Sequence, residues 1–590
     1  MSLGFRYNTS MSPEVGSVGP FVEKICTSPG FRRSPRLQRF LRYVLQWASE
    51  APGQPLKEYS IAVAVYDKST SFDPQSDPII RVEAGRLRSR LLEYYAGAGR
   101  EDALVIEMPR GSYLPAIRMR PKDQPSSAGE SIAVIAWNEG SDPDLEYLSD
   151  GISEGVTSRL ARIPNLRVAP WNMALRSKPV AQDFSSVARL LGVRTLLILR
   201  LTARGESYRV HAEWLDPEHK AHLWGAKYDR QLAELHSVED EVTLDLAERI
   251  MPHLSAQQRS EIRKQHTNSG RAYHLYLKGR YLWNKRTSEA MMKAIQYYRR
   301  ALDEDPGFAP AFAGIADSYF VLGTFGFLSP ADTMPGAKAA AVRALELDED
   351  LGEAHATLAA IRAVWEWEWR DSEAGFRRAI ELAPKHAPAF QWYGFTLCSV
   401  GRFAAGLKLL KHALDLDPLS PMITTQLAAG YYIERRYADA IRTCKSVLDS
   451  DAQFWPALLF LGQSLEQVGQ LDDALCQLRA AVEFSAGNHV ASAALGHASA
   501  RAGDGETARM LLSQLETRSA AGYVPPYSLA LICSGLGSRD AALGYLEQAH
   551  AEPSPSIGLW LRGEPRLDWL RGDARFRNLL RNARLIEELN

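Results

Sequence analysis

The chain has 590 residues, 46% hydrophobic and 24% charged, an ordinary globular composition long enough for several hydrophobic cores. A formal net charge of −1 excludes a protein that is basic or acidic throughout. The five cysteines (Cys26, Cys398, Cys444, Cys476, Cys533) form no CxxC pair, which argues against a disulfide frame or a cysteine zinc site. The most apolar run, Thr195–Leu201, is too short to cross a bilayer, and the N-terminus lacks the apolar centre of a secretory signal, so no membrane contact and a cytoplasmic location are expected.

Residues 1–20 are polar and read as disordered. Between Phe21 and Lys122, 17 Lys+Arg stand against 11 Asp+Glu, so positive charge is concentrated in this segment and the remainder of the chain carries −7. Ser34 caps a helix over SPRLQRFLRYVLQWASE, LKEYSIAVAVYD supplies a second short helix, and Thr70–Asp77 is a turn. The next helix, Asp77–Tyr95, organises the segment. At about 100° per residue, Ile80, Ala84, Leu87, Leu91 and Tyr94 share a stripe suited to a core. Val82, Gly85, Arg86 and Ser89 lie opposite, flanked by Arg81, Arg88 and Arg90. Asp77 suits the N-cap and Pro78 the first turn. Gly97 and Gly99 end the helix, and LVIEMPRGSYLPAI alternates about Pro109–Ser112 as a hairpin.

The run KEYSIAVAVYD…FDPQSDPIIRVEAGRLRSRLLEYY…IEMPRGSYLP resembles the winged helix-turn-helix DNA-binding domain of bacterial regulators of the OmpR type, in particular the form at the front of bacterial tetratricopeptide-repeat proteins. The resemblance covers roughly residues 20–118 and implies that Asp77–Tyr95 is a recognition helix for double-stranded DNA, with Arg110–Tyr113 in the wing. On that reading Arg86 and Ser89 approach base edges with Val82 and Gly85 on the same face, while Arg81, Arg88, Arg90 and Arg110 mainly meet phosphates. Lys57 and Arg36 add backbone contacts from the earlier helices. Arg81 or Arg90 can instead pair with Glu83, Glu93 or Glu58 inside the fold. Regulators of that type carry a receiver domain ahead of the winged helix. Only about twenty polar residues precede it here, so control by aspartyl phosphorylation is not expected.

Residues 123–130 form a polar linker, and 131–265 read as a small α/β domain. Ser131–Trp137 is a buried strand. Asp150-Gly151 opens the helix ISEGVTSRLARI, which Pro164 stops. LRVAP is a second strand and FSSVARLLG a second helix. TLLILRLTARG and SYRVHAEWLDP pair about Gly205-Glu206, AHLWGAKYDR adds a strand, and LAELHSVEDEVTLDLAERIMPHL closes the domain as a helix. SIAVIAW, DPDLEYLSDGISEGV, LGVRTLLILRL and HLWGAKYDRQLAELHSVEDEV are similar to the TolB amino-terminal-like module, which implies protein contacts or signal coupling, not chemistry. Many such proteins carry a membrane helix before this module, whereas residues 119–130 here are short and polar.

No enzyme, metal or cofactor is expected. His211, His219 and His222 with Glu213, Asp216 and Glu218 meet no established ligand spacing. Asp142, Asp144 and Glu146 begin like a calcium loop, but Tyr147 stands where glycine is required. There is no Walker loop or Gly-x-Ser-x-Gly, Gly97-Ala98-Gly99 follows a helix, and no segment remains for a nucleotide cyclase.

Residues 270–565 repeat. Gly394, Ala428, Gly462, Gly496 and Ala530 are spaced by 34, as are Gly406, Ala440, Ala474, Ala508 and Ala542. Ala413, Ala481 and Ala549, with Pro306, Pro384 and Pro418, complete a tetratricopeptide pattern. Gly279, Ala316 and Ala359 begin earlier, irregular units, making about eight, the second with an insertion of about nine residues near Gly323–Thr333. Trp365, Trp367 and Trp369 read as packing residues, and 566–590 as a capping helix. Such an array forms a superhelix whose concave groove suits a protein or peptide, or else serves as a spacer or homodimerisation scaffold.

The expected fold class is therefore multidomain, a winged helix (α+β), a small α/β sheet domain and an all-α tetratricopeptide solenoid. The expected function is a cytoplasmic DNA-binding transcriptional regulator whose array binds a protein or peptide. The alternative is a bacterial signalling adaptor whose winged helix does not bind DNA.

Overall fold

The computed structural model describes residues 19–32, 34–50, 56–69, 72, 79–96, 99, 102, 104–108, 113–119, 131–137, 143–161, 163, 166–177, 183–204, 207–251, 255, 259, 266–552 and 554–586. The chain divides into two compact units, Met1–Ala128 and Gly129–Asn590.

The first unit carries α1 (Gly19–Thr27), α2 (Pro29–Arg32), α3 (Pro35–Glu50), α4 (Glu58–Tyr66), α5 (Ile79–Ala96) and the antiparallel pair β1 (Leu104–Glu107) and β2 (Ala116–Met119). All five stripe residues of α5, from Ile80 to Tyr94, are buried with Phe40, Leu41 and Val44 of α3 and Ile61 and Val65 of α4. Sequence periodicity missed α1, whose nine residues are too few to show a period, yet Val22, Ile25 and Cys26 complete this core. Buried Asp102 ties three segments together. Lys24 of α1 donates to it at 2.5 Å and the Tyr94 hydroxyl at 2.7 Å. The Asp77 cap, Pro78 and the Pro109–Ser112 turn lie outside the described residues.

The second unit begins with a five-stranded mixed sheet of order β4-β3-β5-β6-β7. β3 (Ser131–Trp137) runs parallel to β4 (Arg167–Val168) and β5 (Thr195–Arg204), while β6 (Ser207–Asp216) and β7 (Ala221–Gln231) continue antiparallel. Side chains alternate between two buried faces. Ile132, Val134, Leu197 and Leu199 pack beneath α6 (Pro143–Leu160) and α9 (Leu235–Ile250). Ala133, Ile135, Leu196 and Ile198 pack beneath α7 (Trp171–Ser177) and α8 (Phe184–Leu191).

One sequence expectation fails here. Asp150-Gly151 does not open a helix; α6 starts at Pro143 and the pair is interior to it. A Cβ at Gly151 would lie 2.6 Å from the Leu277 side chain, and one at Gly155 would collide with the Glu239 carboxylate. These glycines serve close helix approach rather than a helix start.

Eight helix pairs follow, from Gly270–Asn284 with Ser288–Glu304 to Pro526–Gly535 with Arg539–Ala551. They form a tetratricopeptide solenoid. In the fourth pair, Ala387–Ser399 and Phe403–Leu416, a Cβ on Gly394 would stand 2.8 Å from the Gly406 carbonyl oxygen, which is why small residues recur at this spacing. The extra residues of the second unit lengthen its helices, Ala309–Thr324 and Pro330–Leu347. Among the described residues of the expected capping helix, Ala574–Asn582 is α-helical and Pro565–Leu570 is a 3-10 turn.

Candidate nucleic-acid face and concave basin

On the side of α5 away from the core, Val82 is 50% exposed, a Cβ on Gly85 would meet nothing within 4 Å, and Arg86 is exposed. Arg86 pairs with Glu83 one turn back at 2.6 Å. Arg81 lies 3.5 Å from Glu58 of α4, a carboxylate that also accepts the Tyr113 hydroxyl at 2.7 Å. The pairing of Arg81 with Glu58 is one of the internal alternatives open in the sequence. Arg88, expected at phosphates, is half-buried and donates Nε to the Met108 carbonyl at 3.0 Å, fastening α5 to the strand pair. Arg90, Arg36 and Lys57 are exposed. Arg110 and the Ser89 side chain lie outside the described residues. Asp102 is an internal anchor and adds no acidic surface near the hairpin.

In the second unit the chain fills part of its own concave face. After the eighth pair, Pro555–Trp560 turns inward. Trp560 lies 5.1 Å from Phe395 and 5.7 Å from Phe460, ring to ring, and Ile557 and Leu561 are fully buried. Glu564 and Arg566 follow as an ion pair at 2.8 Å, 1% and 5% exposed. The Tyr432 hydroxyl donates to Glu564 at 2.7 Å, and Arg435 reaches Asp568 at the same distance. Burial opposes ionisation of Glu564, yet the Arg566 guanidinium and the Tyr432 hydroxyl outweigh it and hold the carboxyl below its usual range. Trp367 packs 4.9 Å from His550, and Trp369 donates Nε1 to the Ala583 carbonyl at 3.2 Å, so the tryptophan stretch of the third repeat meets the chain's end across the superhelix. Sequence spacing gave no sign of this closure.

The sheet domain covers the other end of the concave face. Leu277 of the first repeat enters the core beneath α6 and α9. Arg159 pairs with fully buried Glu239 and with Asp240 at 2.9 Å, and the Tyr273 hydroxyl donates to Glu239. Burial pushes the Glu239 carboxyl up to about 7, against the pull of Arg159. Tyr147 stacks edge-on with His274 at 5.4 Å, and Lys385 of the solenoid donates to the Ala161 carbonyl at 2.9 Å. Between these walls lies a basin of about 1870 Å³, lined by α6, by the first helices of the leading repeats and by Trp560.

The histidine group at the β6–β7 turn is dispersed. His219 Nδ1 lies 3.0 Å from Asp216, which also faces Arg194, and His222 Nε2 is 3.9 Å from Glu213. The side chains of Asp142 and Asp144 lie outside the described residues. Among the described residues no helix is long and apolar enough to cross a membrane.

No family model matches the chain. It is 27% identical over 280 residues to "Putative adenylate cyclase 3" of Rhizobium meliloti, covering 45% of this chain and 47% of that protein. It is 26% identical over 191 residues to the transcriptional regulator HilA of Salmonella typhimurium, covering 31% and 33%. The chain thus spans less than half the length of these curated relatives. Among solved structures, the type IV pilus biogenesis factor PilW is 20% identical with a TM-score of 0.29, covering 35% of this chain and 92% of that one. A tetratricopeptide-repeat protein of Parabacteroides merdae is 12% identical with a TM-score of 0.34, covering 45% and 98%.

Proposed function

We propose that the chain is a DNA-binding transcriptional regulator acting in the cytoplasm. In this reading residues 21–122 form a winged helix-turn-helix with α5 as recognition helix, and the solenoid receives a protein or peptide signal. The observation that carries it is the division of α5 into a fully buried stripe and an opposite face built from Val82, Gly85 and Arg86. A helix with a small, open centre and an arginine beside it fits the major groove, where a guanidinium fork matches guanine O6 and N7. The likeness to HilA, a transcriptional regulator by name, supports the reading over the third of that protein it covers. The sheet domain, TolB-like in sequence, couples the two ends, and the chain carries no catalytic centre of its own.

The pairing of Arg81, Arg86 and Arg88 favours a second reading, an adaptor whose helical face meets protein rather than DNA. Exposed ion pairs contribute only about 0–1 kcal/mol, so phosphates or base edges can displace Glu83 from Arg86 at little cost. Arg88 is different, because its bond to Met108 is internal and its loss would disturb the fold. The discriminating variant is therefore Arg86→Ala. Losing a base contact costs about 1–3 kcal/mol, a fall in affinity of roughly 5- to 150-fold for genomic fragments selected by the full chain. Polarisation titrations in which Arg86→Ala changes neither affinity nor sequence preference would show that α5 does not read DNA.

A further inference from the structure

The chain's own segment Pro555–Trp560 shows what chemistry the concave face takes. Its Trp560 ring lies 5.1 Å from Phe395 and 5.7 Å from Phe460, on the first helices of the fourth and sixth repeats. Leu559 beside it packs against two apolar groups at once, that of Phe395 and Tyr432 and that of Phe320 and Val321. The seated element is therefore a short helix with an adjacent leucine and tryptophan, and this pair meets rings and aliphatic groups.

That apolar surface continues past the segment. Trp392, one helical turn before Phe395, packs 5.1 Å from Phe320, is half-buried, and lines the basin together with Leu559 and Trp560. Phe325 and Phe327, also half-buried and stacked at 6.4 Å, pack against the same group as Leu559 and extend the lining from the insertion of the second repeat. Rings left partly open to a cavity are apolar surface that the fold has not covered, the property of a binding site. An independent observation comes from the fifth repeat. Thr425 is 1% exposed and lines the basin, and its hydroxyl has no hydrogen-bond partner. Helical threonines commonly return the hydroxyl to the carbonyl one turn back, as Thr424 does to Ser420 at 2.9 Å. A buried hydroxyl left unpaired is costly, and a backbone amide held in the basin would supply the missing partner.

We propose that the basin binds a short helical segment of a partner protein bearing an adjacent leucine and aromatic residue, seated on Trp392 and Phe327 as a continuation of the surface that Leu559 and Trp560 already occupy. The cavity, about 1870 Å³, exceeds the ~300–1,000 Å³ usual for a small ligand, which favours a peptide over a free apolar molecule. The inference rests on the reading that the solenoid takes a peptide, and names the chemistry of that peptide.

Fluorescence polarisation of the full chain with two labelled, blocked peptides tests it: an alanine-rich helical peptide with one leucine–tryptophan pair, and its counterpart with glutamine at both positions. The leucine–tryptophan peptide should bind at least ~10-fold more tightly, the size of burying one such side chain. Trp392→Ala, folded by its melting curve, should remove that difference. Phe327→Ser, which lies on the insertion and not on a repeat helix, should reduce it as well and serves where Trp392→Ala does not fold. Equal binding of the two peptides by the parent chain overturns the apolar site but keeps the peptide reading. A preference that survives every folded variant places the peptide elsewhere and overturns the proposal. Binding of neither peptide overturns both.

Discussion

Replacing Glu564 by alanine is expected to destabilise the second unit by about 3–5 kcal/mol, among the largest single-site effects in the chain. The substitution leaves the Arg566 guanidinium, 5% exposed, without its carboxylate, and removes the acceptor of the Tyr432 hydroxyl. Neither group can reach water, because Ile557, Leu561 and Leu567 bury the segment against the solenoid. The isosteric Glu564→Gln should lose less, since it keeps a hydrogen-bond acceptor. A double variant, Glu564→Leu with Arg566→Met, should recover most of the loss, because a buried ion pair replaced by apolar groups of similar volume is roughly neutral. Thermal melts of the three variants check the order. If Glu564→Ala melts with the parent, the inserted segment is not part of the solenoid's core.

The second large effect is on binding, and it comes without a cost in folding. Gly85→Glu places a carboxylate at the centre of the α5 face, where a Cβ meets no atom within 4 Å. Glycine inside a helix is about 1 kcal/mol less favourable than a good helix former, so the variant should melt at or above the parent temperature. DNA affinity should fall by at least ~100-fold, because the new charge opposes phosphate and base-edge acceptors and the bulk holds the helix away from the groove. Loss of affinity with retained stability assigns the face to DNA. Unchanged affinity assigns it to something else.

Much of this architecture was legible in the sequence because it rests on short-range periodicity. The apolar stripe of α5 recurs at helical spacing, and each repeat needs small residues where its two helices cross, so Gly394 and its counterparts mark the solenoid directly. What escaped depends on partners far away in the chain. Gly151 reads as a helix start until Leu277 is seen against it. Trp560 and Glu564 read as the tail of an array until Phe395 and Tyr432 are placed around them. The proposed DNA face of α5 was legible as a pattern of residues, but not in its electrostatics. Arg88 is committed to Met108 and Arg86 rests on Glu83, distinctions that spacing along one helix cannot make.

The same closure bears on where a ligand can enter. The repeats read in sequence as a superhelix with a concave groove. The segment from Pro555 to Leu570 fills part of it, and the sheet domain walls the remainder into a basin. A ligand entering the basin would therefore meet both the repeats and α6.

The most direct test is the salt dependence of binding by the full chain to genomic DNA fragments. Neutralising about five to eight phosphates predicts a slope of roughly −4 to −7 in log K against log salt, reduced by about one when Arg90 is replaced by alanine. A slope near zero, or no binding at low salt, would contradict it.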